Sequence, residues 1–342
     1  MNSERRTWLW QLSAVLVTSA ILTSPAWAAE GDTPVKPAAK ADAKAKAPAK
    51  APAPWPPKLS EQVLQKISDV VPDKPAAAPK KPRRLVVFTL TPGFKHTVIP
   101  ATSAAIEAMG KKTGAWETVV SDDMSYFEPE KLAQFDAVVL NNCCGIAPGR
   151  ELFLPANLDK LPPEQKQAAL DRDQLLKKSF ESFVRSGHGL VGIHGSTGAF
   201  HTWPVFGEML GAFFQKHPWT QKIRVKLDDP ANPICTAFAG KGFEIKEETY
   251  EVREPYSRDT LRVLLTLDLA SVDAKKGGRK DGDYALAWIK TYGQGRVFYS
   301  AFSHYDQTWM EPAMVRFHLA GIQYALGDLE ADATPSAKRA DK

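Results

Sequence analysis

Three short runs in this chain are apolar at almost every position: "RRLVVFTL" (83–90), "DAVVLNNCCG" (136–145) and the start of "GLVGIHGSTGAF" (189–200). A strand with one wet face alternates apolar and polar residues. A Val/Leu/Ile run without alternation suits a strand covered on both faces. Between the first two runs lie "ATSAAIEAMGKKTG" (101–114), a helix that Gly114 closes, the strand "WETVVSDD" and the short helix "FEPEKLAQF". This β-α-β-α-β rhythm predicts an α/β domain with a doubly wound, mostly parallel sheet.

The rhythm breaks at residues 146–174, a polar, proline-containing stretch that reads as an insertion. It resumes with "LLKKSFESFVRSG" (175–187), which places Leu176, Phe180 and Phe183 on one helical face. "WPVFGEMLGAFFQKHP" (203–218) is expected to be helical, ending at His217 and Pro218. Five strand candidates follow, "IRVKL", "FEIKEETYEV", "LRVLLTL", "YALAWIKTYG" and "GRVFYSAF", then a closing helix over 311–327. The folded domain is expected to span 83–327, with 328–342 as a frayed tail.

The first 28 residues read as an export signal: Arg5 and Arg6, a short apolar run, then the small-x-small site Ala26-Trp27-Ala28. "ERRTWLW" also resembles a twin-arginine signal. Periplasmic or secreted placement is the expectation, with no stable membrane span after cleavage. Residues 29–58 are nearly all Ala, Pro and Lys and lack the apolar content of a core. They begin a tether that runs to residue 82, with one short helix at 59–71. The tether and signal carry most of the +5 net charge, leaving residues 83–327 almost neutral. A nucleic-acid partner therefore has no electrostatic support. Cys143, Cys144 and Cys235 form no disulfide framework and read as small buried hydrophobes.

Chemistry concentrates on the histidines. His96 and His194 follow strand ends, as His304 does after "GRVFYSAFS". Open α/β sheets collect ligands at the C-terminal ends of strands. The turn Gly192-Ile193-His194-Gly195 has the outline of a nucleophile elbow, yet it displays an imidazole. A Gly-x-Ser-x-Gly nucleophile is absent, which disfavours covalent catalysis. The competing reading is a divalent metal, zinc or a similar ion such as Mn, Co or Ni. Its candidate ligands are His194, His217, Glu248 and His304, with Glu247 alongside. The plainer alternative is that each histidine caps or packs. His318, inside the closing helix, fits that alternative best, and His188 reads as a surface turn residue. Phe200, Trp203, Trp219, Tyr250, Tyr305 and Trp309 fall near the same loops, with Asp306 beside them. Rigid rings with polar edges suit a sugar-sized ligand, and core packing is the alternative for each ring.

Several segments in order carry a family resemblance: "TPGFKH" (91–96), "FVRSGHGLVGIHGS" (183–196), "WPVFGEMLGAFFQKHP" (203–218), "EETY" (247–250), "ALAWIKTYGQGRVFYSAFSH" (285–304) and "FHLAGIQYAL" (317–326). Together they resemble the ThuA-like, or trehalose-utilisation, family. That family is similar to flavodoxin-like and class I glutamine amidotransferase-like folds. In such amidotransferases the elbow presents Cys; here His194 stands there, so amidotransfer is not implied. Two departures from the family pattern are Glu247, where Asp is usual, and Ser303, where Gly is usual. The resemblance implies sugar catabolism, including trehalose and 3-keto-glycosides. It implies a metal on His194, His217, Glu248 and His304, and a base at His96 or Glu247. Isomerisation, elimination and hydrolysis stay open. The alternative is a non-catalytic carbohydrate-binding or envelope scaffold protein. The sequence carries no signal for oligomeric state.

Overall fold

The structure, a computed structural model, describes residues 55–338. The expected signal (1–28) and most of the Ala/Pro/Lys segment lie outside the described residues. The expected helix within the tether is α1, Glu61–Val70, capped by the Ser60 hydroxyl. The first strands and helices follow as β1 (Arg84–Phe88), α2 (Ile99–Thr113), β2 (Glu117–Ser121), α3 (Pro129–Leu132), β3 (Ala137–Asn141), α4 (Pro163–Arg185) and β4 (Gly189–Ile193). Then come α5 (Pro204–Leu210), β5 (Phe213–Leu227), β6 (Phe243–Arg253), β7 (Arg262–Leu267), β8 (Ala285–Tyr292), β9 (Gly295–Ser300) and α6 (Pro312–Ala325).

All nine strands form one sheet in the order β2-β1-β3-β4-β9-β8-β7-β5-β6. The pairs from β2 to β9 are parallel. Those from β9 to β6 are antiparallel. The expectation of a mostly parallel, doubly wound sheet is therefore corrected to a mixed α/β sheet. Burial explains the misreading. Strand β7 is antiparallel on both sides yet buried at every position, so it carries the unbroken apolar run of a parallel strand.

Three boundaries also move. The helix expected over 203–218 stops at Leu210, where Gly211 adopts φ 106° as a left-handed cap. A side chain there would meet Leu261 and the Trp288 indole. The chain then enters β5, so His217 lies inside a strand, not at a helix end. The excursion at 146–174 is shorter than expected, because α4 already begins at Pro163. Its first part is not purely polar cover, since Leu152, Phe153 and Leu158 are buried in the core. The segments on either side of the domain are pinned as well. The Gln323 side chain bonds both backbone groups of Ala77. Arg83 grips buried Asp328 at 2.6 Å. The Ser336 hydroxyl accepts from Val263 N–H, so 328–338 is not a loose end. Among the described residues no helix is long and apolar enough to cross a membrane.

Candidate functional site

Strands β3, β4 and β9 lie side by side, and each is followed by a residue with left-handed backbone: Asn142 (φ 54°), His194 (φ 43°) and Ser303 (φ 137°). Such conformations cost non-glycine residues of order 1–3 kcal/mol and persist where surrounding contacts impose them. Those contacts are present. His194 donates from Nδ1 to the Ala301 carbonyl at 2.6 Å and accepts Tyr299 Oη–H on its own carbonyl at 3.0 Å. The Ser303 hydroxyl lies 2.8 Å from Thr102 Oγ1 and accepts from Trp309 Nε1 at 3.0 Å and Asn142 Nδ2 at 3.3 Å. Ser303 thus occupies a backbone conformation that glycine favours.

These turns aim imidazoles at one point. Ligand-type atoms of His96, His194, Glu248 and His304 all lie within 4.8 Å of one another, and His96, His194 and Glu248 are buried. His194 Nε2 is 3.4 Å from Glu248 Oε2 and 3.3 Å from His304 Nδ1, which is itself 3.3 Å from the same oxygen. With His194 Nδ1 bearing its proton toward Ala301, Nε2 turns toward this point. Three electron-rich atoms so close require a proton or a cation between them. His96 adds a buried Nδ1 with no hydrogen-bond partner. The donor set of three imidazoles and one carboxylate matches the preference of zinc and similar divalent ions.

Electrostatics follow from burial and proximity. Burial, then the neighbouring His194 and His304, lowers His96 to about 2, so it stays neutral. Burial raises the Glu248 carboxyl, but hydrogen bonds from His194 and His304 outweigh it and hold the group well below the usual range. The hydrogen bond to Glu248 raises His304 against the opposing effect of burial. Burial also pushes Tyr250 well up, which keeps its phenol protonated.

Three of the four, His96, Glu248 and His304, line a cavity of about 430 Å³, while His194 is fully buried. His217 also lines it, but its ring is exposed and its Nδ1 lies 3.6 Å from the other oxygen of Glu248. The inner group therefore contains His96, expected as a base, and leaves His217, expected as a ligand, at its outer side. Glu247 faces away from the cavity. Its carboxylate accepts from the N–H groups of Ser303, His304 and Glu248 and from the Thr308 hydroxyl. It shapes the loop that carries His304, a placement unlike the substrate-facing base expected. Burial leaves its pKa raised despite His194 and these bonds.

Of the aromatic candidates, Tyr250 alone lines the cavity, with its hydroxyl 3.5 Å from His96 Nε2. Phe200 is core, and Trp203 packs on it at 5.1 Å. Trp219 is buried and donates to the Asp273 carbonyl. Trp309, another of the expected sugar-facing rings, is fully buried and donates from Nε1 to the Ser303 hydroxyl. Tyr305 borders a separate concavity of about 730 Å³ beside Lys246, and neighbouring Asp306 is half-buried. Sequence reasoning missed Phe94, Cys144, Ile146, His201 and Phe214, all of which line the cavity. Phe94 could have been found from its place two residues before His96. Burial, then Glu248, pushes the Cys144 thiol up to about 12, which favours its protonated form. The covalent reading stays set aside.

A family model described as ThuA, trehalose utilisation, matches residues 84–325. A ThuA-like protein from Bacteroides uniformis superposes with a TM-score of 0.54 at 18% identity, covering 76% of this chain and 98% of that one. A second, from Parabacteroides merdae, gives 0.48 at 15% identity, covering 76% of this chain and all of that one. No curated protein matches the chain in sequence.

Proposed function

The chain belongs to the ThuA, or trehalose-utilisation, family, and from that premise we propose that it is an exported, metal-dependent sugar-processing enzyme. Its substrate is a glycoside or keto-glycoside. The observation that carries this reading is the convergence of His96, His194, Glu248 and His304 within 4.8 Å at the edge of a ligand-sized cavity. These four residues would hold the ion. Bound there, a divalent ion supplies Lewis-acid polarisation of a sugar carbonyl or hydroxyl.

The remaining roles belong to the chain's own groups. His217 stands at the open side of Glu248, with an exposed imidazole that can take or return a substrate proton. Tyr250 keeps its proton and can donate from Oη to a sugar oxygen. Glu247 fixes the backbone N–H groups of Ser303 and His304 and so holds the His304 ring in place. It is a positioning residue. Proton transfer beside a carbonyl would support isomerisation or elimination, and delivery of water would support hydrolysis.

The test is elemental analysis of protein purified without added metal, paired with an assay on trehalose, other disaccharides and their 3-keto forms. About one divalent ion per chain and turnover of one of these sugars are expected. His194→Ala should lose both ion and turnover. Full ion occupancy in that variant would remove His194 from the ligand set. Stoichiometric ion and sugar binding without turnover would favour a carbohydrate-binding role.

A further inference from the structure

The cavity is built from two unlike surfaces. One wall carries His96, Glu248 and His304, while its mouth carries Phe94, Ile146 and Phe214. Phe94 is 65% exposed, the highest value among the exposed large hydrophobics of the described residues, and Ile146 is 45% exposed. Exposed apolar side chains are common singly, but two lining the same cavity form a patch that a ligand would cover.

Phe94 is also held in place. The Thr91 hydroxyl donates to the Phe94 carbonyl at 2.8 Å, closing the turn. Gly93 N–H donates to the Cys144 carbonyl at 2.9 Å, and a side chain at Gly93 would run into the Gly145 carbonyl. The turn is thus seated on the end of β3. The Phe94 ring meets His96 edge to face, with centroids 4.7 Å apart. A rigid turn therefore presents an exposed aromatic face one ring away from the polar cluster.

We propose that Phe94 is a specificity-determining platform for the outer part of the substrate. The reacting sugar points its oxygens at the cluster, and the C–H face of the second ring, or of the glycosidic substituent, covers Phe94. The site then prefers a glycoside over the corresponding free sugar. This inference rests on the sugar reading above and adds the outer half of the ligand. Ile146, exposed in the lining of the same cavity, would limit the width of that outer position.

The experiment compares binding of 3-keto-trehalose and free 3-keto-glucose by the full chain carrying its ion, in wild type, Phe94→Ala and Phe94→Trp. Phe94→Ala should weaken 3-keto-trehalose about tenfold, the scale of one aromatic stacking contact. Binding of 3-keto-glucose should change by less than about twofold, and Phe94→Trp should restore disaccharide affinity. Ion content and the unfolding midpoint should stay at wild-type values, because an exposed ring leaves no core void. Equal affinity of Phe94→Ala and wild type for the disaccharide overturns the platform and leaves the sugar reading standing. Equal losses for both sugars overturn it too, since Phe94 would then act on the inner site. Failure of the wild type to bind either sugar overturns the platform together with the sugar reading.

Discussion

The two halves of the sheet feed the cavity in different ways. The parallel half delivers from strand ends: His96 after β1, His194 directly after β4, and His304 shortly after β9. The antiparallel half delivers from within strands: Glu248 and Tyr250 on β6, and His217 on β5. A strand end can use unusual backbone to aim one side chain. A mid-strand residue is aimed only by pleat and register. The imidazoles of His96, His194 and His304 thus depend on local turns and their hydrogen bonds, whereas Glu248 and His217 depend on how two long strands align.

Strand β9 is the seam, parallel to β4 on one side and antiparallel to β8 on the other. Its Phe298 is fully buried and packs against Phe317 of α6. Phe298→Ala should cost about 3–5 kcal/mol, read as a fall in the denaturant midpoint, with one transition for both halves. Two separate transitions would break the picture of a single sheet joined at β9.

Adjacent glutamates sharpen the contrast next. Glu247→Gln leaves buried backbone donors of the His304 loop poorly paired and should cost about 1–3 kcal/mol. Ion affinity should fall about 10- to 100-fold through the displaced ring. Glu248→Gln should lose the ion more completely, and the ion-free variant should also lose the stability that the depressed carboxylate contributes. Chemical denaturation and ion titration on both variants separate the two. Ion binding kept by Glu248→Gln but lost by Glu247→Gln would reverse the two roles.

The pH response tests the same pair. In the ion-free protein the raised His304 contributes stability at low pH that is lost as pH rises through its raised pKa. The depressed Glu248 contributes stability above the ordinary carboxylate range, lost as pH falls through its lowered pKa. An ion must displace the His304 proton, so ion affinity should climb with pH by at most about tenfold per unit for one proton released. Calorimetry in buffers of different ionisation enthalpy counts that proton. No proton release would place His304 outside the ligand set.

The smallest effect concerns Ser303. Ser303→Gly relieves the left-handed backbone but strands the buried Trp309 N–H. We expect a net loss of about 1 kcal/mol, because the unpaired donor outweighs the relief. A gain in thermal midpoint would show that backbone strain dominates at that strand end.

The parallel half was legible from the sequence because its signals are local. Buried β-branched runs gave β1, β3 and β4, and the glycine-rich turn pointed to His194. His304 was read from its place after a strand and Glu248 from its ligand chemistry, and the structure puts both within 4.8 Å of His96 and His194. The antiparallel half hid its direction, since covered strands look alike whichever way they run. Gly211 was the overlooked stop signal that kept His217 on an imagined helix. The aromatics misled for a related reason: side-chain chemistry does not reveal which face of a loop turns inward, and Trp309 and Trp219 turned in. Phe94, the ring that turned outward, sat unremarked within a motif chosen for its histidine.

Glu247 and Glu248 are chemically alike, yet on β6 they serve opposite faces, one holding a loop and the other facing the cavity. Pairing with Gln221 and Thr220 of β5 keeps each on its side, and His217 falls in the register shift between Lys216 and Trp219. The site therefore obeys a parity rule. Loss of Lys246, or gain of one residue beside it, would turn each carboxylate to the opposite face. Gain of two would restore the faces but carry both groups about 7 Å along the strand, so the single-residue indel inverts the site and the double one displaces it.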